Sequence, residues 1–168
     1  MDHGSHLFQL NCNVILEREC SAYRFIDGKI VPITSASELS EIEQAMEVAP
    51  KNAQEHLETA IQLFASRTDP DYRNSIKESI SAVEAVAKLS AGAKGGTLAD
   101  AIDILRGEKR LHPAFLQGLD KIYGYTSDAN GIRHALMDEA SLSASDARFM
   151  LVMCSAFVNY LLEKTQGV

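Results

Sequence analysis

The chain has 168 residues, of which 46% are hydrophobic, and a net charge of −7. This length suits one domain with a short N-terminal attachment. The acidic balance argues against a protein that coats nucleic acid through many lysine and arginine contacts. Its three cysteines have no metal-ligand spacing with histidines and fit reduced thiols rather than a disulfide framework. We therefore expect a cytoplasmic protein with no metal and no cofactor.

The first part of the chain is expected to begin with a short helix. Residues 1–6 resemble a remnant of an expression vector, so no function is assigned to their two histidines. A helix is then predicted over residues 7–19, because apolar residues recur on one side of it: Leu7, Leu10, Val14 and Ile15.

A β-hairpin and a connector helix are predicted next, completing an N-terminal unit over residues 7–50. Asp27-Gly28 lies between two β-prone runs, which is the strongest short signal for a hairpin. Thr34 or Ser35, followed by Glu38, resembles the capping box that begins a helix. Two strands alone are marginal, so we expect the hairpin to pack on helices.

Residues 51–168 are predicted to form a helical bundle. Apolar spacings and capping signals indicate helices near residues 52–67, 71–89, 97–105, 113–123 and 143–164, with Pro70 in the first turn of the second. The last helix is apolar almost all round from Phe149 to Leu162, which indicates burial on several sides. Because so few helices surround it, we expect part of its surface to form a homodimer. This stretch is shorter than the about 20 residues of a membrane span, so no membrane partner is expected.

The run from Asp128 to Ala135 is the segment with the most chemical potential. Arg133 offers an always-charged fork that matches phosphate geometry, and His134 can transfer a proton near neutral pH. Asn130 lies three residues upstream of Arg133 and is a candidate for RNA binding. An arginine beside a histidine is also common as a solvated or capping pair, so the surroundings must decide its role.

The order of the last four helices, with Arg133-His134 before the final one, resembles the HEPN superfamily. Within that superfamily, the chain is most similar to HEPN modules of bacterial abortive-infection proteins of the AbiJ type. The stretches that carry the resemblance are 72–85, 111–115, 123–135 and 154–160, and the hairpin with its following helix resembles the connector that precedes such modules. The resemblance implies an all-α, HEPN-like helical bundle with a short N-terminal β-hairpin and helix attachment.

The resemblance implies two alternative functions. Many HEPN proteins are metal-independent endoribonucleases whose motif is an arginine, a polar residue, three further residues and a histidine. Arg133 and His134 would take the first two positions, but Asp138 stands where the closing histidine is expected. The first alternative is therefore an RNA-directed module of an anti-phage or toxin–antitoxin system, with Arg133 and His134 catalytic. The second is a non-catalytic dimerisation or regulatory domain, whose partner is an upstream effector domain or an antitoxin.

Two residues outside this run are candidates for RNA binding. Arg73 could reach a polar groove shared with Arg133, although a surface arginine is the simpler interpretation. Tyr125 could stack on a base or pack the preceding turn against the bundle. Glu84 is expected to have a structural or solvated role, because it is placed to pair with Lys88 one turn later. His56 lies on a charged helix face and is expected to be only solvated.

Overall fold

The structure is a computed structural model that describes residues 3–19, 21, 23–33, 35–66, 68–93, 95–107, 111–127 and 142–166. The elements within these residues are α1 (His3–Arg18), β1 (Arg24–Ile26), β2 (Lys29–Val31), α2 (Ala36–Val48), α3 (Lys51–Ala65), α4 (Tyr72–Ser90), α5 (Leu98–Gly107), α6 (Pro113–Ser127) and α7 (Ala144–Gln166). The fold is therefore all-α with one short N-terminal hairpin, and the predicted fold class is confirmed.

The hairpin forms where the Asp27-Gly28 pair predicts it. Strands β1 and β2 are antiparallel, with Ile26 opposite Lys29, which leaves a two-residue loop. Asp27 and Gly28 have φ angles of 47° and 69°. Positive φ at both loop residues is the conformation of a type I′ turn, which matches the right-handed twist of the strands.

Helix α1 is attached to the hairpin by side-chain amides. The amide oxygen of Asn13 accepts from the Phe25 backbone N–H at 2.7 Å, and its amide nitrogen donates to the Phe25 carbonyl oxygen at 2.9 Å. Gln9 accepts from the Gly28 N–H at 2.9 Å. Asn13 thereby gives Phe25 the two backbone-like hydrogen bonds that a further strand would supply.

Helix α2 joins the hairpin to the bundle. Ser35 caps it by accepting a hydrogen bond from the Glu38 N–H, as the capping signal predicts. Three of its residues belong to the buried core: Ile42, Ala45 and Met46. The amide of Asn159 in α7 donates to the Glu41 carbonyl oxygen at 3.0 Å. One core therefore extends from the hairpin into the bundle.

Helices α3 and α4 form an antiparallel pair. The Ser75 hydroxyl donates to the Ala60 carbonyl oxygen at 2.8 Å, and the Asp71 N–H donates to the Leu63 carbonyl oxygen at 3.2 Å. Asp71 is the N-cap residue of α4. The prediction that Pro70 lies in the first turn is therefore wrong, because Pro70 precedes the cap and its side chain cannot provide the hydrogen bond that Asp71 provides.

Helix α7 packs along α4 and also contacts α2 and α3. The hydroxyls of Ser90 and Thr165 lie 3.0 Å apart, so the C-terminal ends of α4 and α7 meet. Two helices that meet at these ends can pack along their length only if they run in the same direction. The starts of α4 and α7 therefore lie at the same end of the bundle.

Helices α5 and α6 occupy the connection between α4 and α7. The Nδ1 atom of His112 accepts from the Ala114 N–H at 3.2 Å, so this histidine caps α6. Helix α6 continues to Ser127, four residues past its predicted end. The Phe115 ring contacts Phe157 and Tyr160 of α7, with ring centroids 5.4 and 4.7 Å apart. Among the described residues, no helix combines the length and apolar character needed to cross a membrane.

Replacing Asn13 by alanine should loosen α1 while leaving the bundle folded. The substitution removes both amide hydrogen bonds to Phe25 and should cost about 1–3 kcal/mol locally. Hydrogen–deuterium exchange should then show faster exchange in α1 and unchanged protection in α4 and α7. Glu17→Ala, on the exposed side of the same helix, is the control. Equal exchange in both variants would contradict the anchoring role of Asn13.

Candidate functional site

The predicted catalytic residues fall outside the described part of the chain. Residues 128–141 contain the predicted catalytic residues Arg133 and His134, together with the RNA-binding candidate Asn130 and with Asp138. The roles of these residues stay predictions. This segment connects the last residue of α6, Ser127, to the start of α7.

The start of α7 is fixed by a capping pair. The Ser143 hydroxyl and backbone N–H donate to the Asp146 carboxylate at 2.6 and 2.8 Å. These hydrogen bonds hold the pKa of Asp146 below its ordinary value, and the bond from the Ser143 hydroxyl has the largest effect. Because the carboxylate also lies in the first turn, its charge is favourable toward the helix dipole. The C-terminal boundary of the predicted catalytic segment is therefore a well-formed helix start.

Two arginines lie at this end of the α4–α7 pair. Arg73 and Arg148 each stand 17 residues before Ser90 and Thr165, the two residues whose hydroxyls meet. At about 1.5 Å per residue, both positions are about 26 Å from that contact. Within the described residues, neither arginine has a hydrogen-bond or ion-pair partner, and both are half-buried. The bundle thus places Arg73 at the end where α7 begins, and adds Arg148 to it.

Tyr125 lies in the last turn of α6 and is 52% exposed. The next residue, Thr126, is buried, and its hydroxyl donates to the Tyr123 carbonyl oxygen at 2.8 Å. Tyr125 therefore belongs to a helix rather than to a turn, and its ring is accessible. Arg73 and Tyr125 make no hydrogen bond or cation–π contact with each other in the described part of the chain.

His56 forms a pair with Glu78 across the α3–α4 interface. Its Nδ1 atom lies 2.6 Å from the Glu78 carboxylate oxygen. The expectation that His56 is only solvated is therefore wrong, because the antiparallel packing of α3 and α4 brings two distant residues together. Glu84 and Lys88 form the ion pair expected from their spacing, at 2.7 Å.

A polar cleft of about 710 Å³ lies between α1, the hairpin loop, α2 and α3. The side chains that matter for its chemistry come from four elements: His6, Gln9, Asp27, Glu43, Glu47 and Gln54. Its volume lies within the about 300–1,000 Å³ of small-molecule sites. No function is predicted for His6 from the sequence, because residues 1–6 resemble a vector remnant. Glu43 is not predicted either, because the cleft residues are distant in sequence and form no motif.

Glu43 is the most perturbed acid of the cleft. Burial raises the pKa of its carboxyl, against the opposing effects of a hydrogen bond from Gln9 and of the nearby His6 imidazole. The Gln9 amide nitrogen and the Glu43 oxygen are 3.5 Å apart. The Asp27 carboxylate already forms an ion pair with the Lys29 ammonium group, with the nitrogen and oxygen 2.7 Å apart. The cleft therefore presents carboxylate and amide acceptors suited to a cationic or hydrogen-bond-donating group.

No group of three or more histidine, cysteine or carboxylate side chains is arranged for metal binding within the described ranges. Cys154 is fully buried in α7, as expected for a core residue, and burial raises the pKa of its thiol.

Comparison with known proteins places the N-terminal part of the chain. Residues 2–48 match the family described as AbiJ N-terminal domain 4. The match covers α1, the hairpin and α2, and it ends where α2 ends. It supports an association with AbiJ-type abortive infection, in agreement with that part of the sequence resemblance. No curated protein and no solved structure matches the chain.

Replacing Glu43 by glutamine should stabilise the protein above the ordinary carboxyl pKa of 4.5. A raised pKa means that the folded state holds this proton more tightly than the unfolded state. Stability is therefore lost as pH rises through the Glu43 pKa. Glutamine removes this loss, so the gain in melting temperature should be near zero at pH 4 and should grow toward pH 7.

The control for this measurement is Glu47→Gln, at an exposed position of the same cleft. Its effect on melting temperature should not follow the same rise with pH. A gain for Glu43→Gln that is equal at pH 4 and pH 7 would show that burial of the Glu43 charge is not its cause.

Proposed function

We propose that this chain is a component of a bacterial AbiJ-type abortive-infection system, in which helices α3–α7 form a HEPN-like module that acts on RNA. The observation that carries the proposal is the match of residues 2–48 to AbiJ N-terminal domain 4, followed directly by a helical bundle. The Arg133-His134 pair precedes the last helix of that bundle, as in the superfamily that the sequence resembles.

The position of Arg73 supports RNA as the ligand. Arg73 and Arg148 lie at the end of the α4–α7 pair where α7 begins, and residues 128–141 lead into that helix start. Both arginines are half-buried and have no carboxylate partner among the described residues, and a guanidinium group in such a position is suited to hold phosphate oxygens. We propose that this end of the bundle is the phosphate-binding side, and that the ring of Tyr125 stacks on a base.

In the catalytic version of the proposal, Arg133 holds the scissile phosphate and His134 transfers the proton. The ribose 2′-oxygen attacks the neighbouring phosphorus, and the bond from phosphorus to the 5′-oxygen breaks. The proton leaves the 2′-hydroxyl to His134, and the leaving 5′-oxygen takes up a proton. A single histidine would serve as base, so the acid must come from water or from a second copy of the chain.

Asp138 favours the second candidate function, a non-catalytic regulatory module. It occupies the position of the closing histidine, and its carboxylate would repel a phosphate. In this version, the module binds RNA or a protein partner without cleaving it, and dimerisation through α7 brings two copies together. One side of α7 is buried within its own chain, but the Phe149 side chain remains 63% exposed.

The catalytic version predicts cleavage that survives EDTA and depends on both residues. Labelled RNA is incubated with the full chain in EDTA, beside Arg133→Ala and His134→Ala. Each substitution should reduce the cleavage rate by about 100-fold or more, the size of a lost proton-transfer group. The matched controls are Arg106→Ala and His112→Asn, because Arg106 pairs with Asp103 on α5 and asparagine can still cap α6. Equal cleavage in all five proteins would contradict catalysis by this pair.

RNA binding by Arg73 is tested separately from cleavage. The affinity for a single-stranded RNA is measured by fluorescence anisotropy over a range of salt concentrations. Arg73→Ala should weaken binding and lower the slope of log affinity against log salt by about 0.7, the value for one lost phosphate contact. Arg106→Ala is the matched control. An unchanged slope for Arg73→Ala would remove Arg73 from the binding surface.

A further inference from the structure

Helix α1 presents its apolar side chains to solvent. Leu7, Phe8, Leu10, Val14 and Ile15 are between 43% and 67% exposed, and we name these five the α1 stripe. Each of the other described helices has at most one exposed large hydrophobic side chain, such as Leu89 in α4 or Phe149 in α7. The α1 stripe is therefore a concentrated apolar patch rather than the scatter normal for a protein surface.

The other side of α1 holds the hairpin mainly through amide hydrogen bonds, and the Phe8 ring at the edge of the α1 stripe adds an edge contact with Phe25, with centroids 6.2 Å apart. Asn13 is buried and bonded to Phe25, and Gln9 bonds to Gly28. Helix α1 contributes no apolar residue to the buried core of the described residues. The apolar side of α1 thus faces away from its own domain, whereas a surface helix ordinarily turns that side toward the core. This orientation indicates that the α1 stripe is covered in an assembly.

The size of the α1 stripe fits a helix pair. Five large apolar side chains at about half exposure offer about 500 Å² per chain, so two copies would bury about 1,000 Å², the lower limit of a specific interface. Two paired copies of the α1 stripe therefore reach this limit without help from other elements.

Four of the five residues of the α1 stripe are placed symmetrically about Asn11. Leu7 and Ile15 lie four residues on either side of it, and Phe8 and Val14 lie three residues on either side. In an antiparallel pair of identical helices, Leu7 would face Ile15 of the other copy, and Phe8 would face Val14. Asn11 is exposed and lies on the same face, about 40° from Leu7 at 100° per residue.

Asn11 is also chemically suited to the centre of such a pair. A carboxamide both donates and accepts, so two Asn11 side chains across a two-fold axis satisfy each other's hydrogen bonds. A different partner surface would have to supply a matching polar group, because an unpaired amide buried among apolar residues is costly. A single polar residue in an apolar helix seam is known to fix the register of identical helices.

We propose that two copies of this chain pair through α1, antiparallel about a two-fold axis at Asn11. This interface is separate from the α7 surface and does not depend on the RNA-directed function. The occupant is a second copy because the stripe is complementary to itself in both residue order and hydrogen bonding.

Light scattering of the full chain tests the interface. The wild type should be dimeric at tens of micromolar, and Asn11→Asp should raise the dissociation constant at least tenfold, because it places two carboxylates across the axis. Val14→Asp should act similarly. Both positions are exposed in the single chain, so circular dichroism should show unchanged folding. A monomeric wild type, or dissociation by Phe149→Asp but not by the α1 variants, would overturn the proposal.

A cysteine cross-link tests the axis itself. In a chain with Cys12→Ser and Cys20→Ser, Asn11→Cys should form a disulfide between two copies on mild oxidation, because a residue on a two-fold axis meets itself. Glu17→Cys, exposed on the same helix, is the control and should not cross-link. Equal cross-linking at the two positions, or none at position 11, would place the axis elsewhere and overturn the proposal.

Discussion

The fold depends on covering the buried side of α7, which contributes Met150, Leu151, Cys154, Val158 and Leu161 to the core. Helix α4 lies along it, and α2 and α3 cover further sides. Because α4 and α7 run in the same direction, the chain must return along the bundle after Ser90 before α7 can begin. Helices α5 and α6 occupy this connection, so that α7 begins at the end where α4 also starts.

This return has a consequence for function. The helix start that follows the segment carrying Arg133 and His134 in the chain is fixed by the capping pair of Ser143 and Asp146. Arg73 stands at the start of α4, at the same end of the bundle. Parallel packing thereby brings Arg73 to the same end of the bundle as the start of α7. A ligand at this end would contact parts of the chain that no linear motif joins.

The region that matches AbiJ N-terminal domain 4 is used in two different ways. Helix α2 is part of the common core, and Glu41 is bonded to Asn159 of α7. Helix α1 is held from outside by Gln9 and Asn13, and its apolar face points away from the core. The polar cleft with Glu43 lies between these two helices. Movement of α1 would therefore change both the cleft and the α1 stripe without breaking the bundle.

The amino-acid sequence by itself determined the features that depend on neighbours in the chain. Asp27-Gly28 sets the hairpin loop, Ser35 caps α2, and Glu84 pairs with Lys88, because backbone conformation and one-turn spacing are local properties. The tertiary structure decided what depends on distant segments. It paired His56 with Glu78, placed His6 and Glu43 in one cleft, and turned the apolar side of α1 to solvent. Periodicity shows that a helix has an apolar face, but only packing decides whether that face meets its own core.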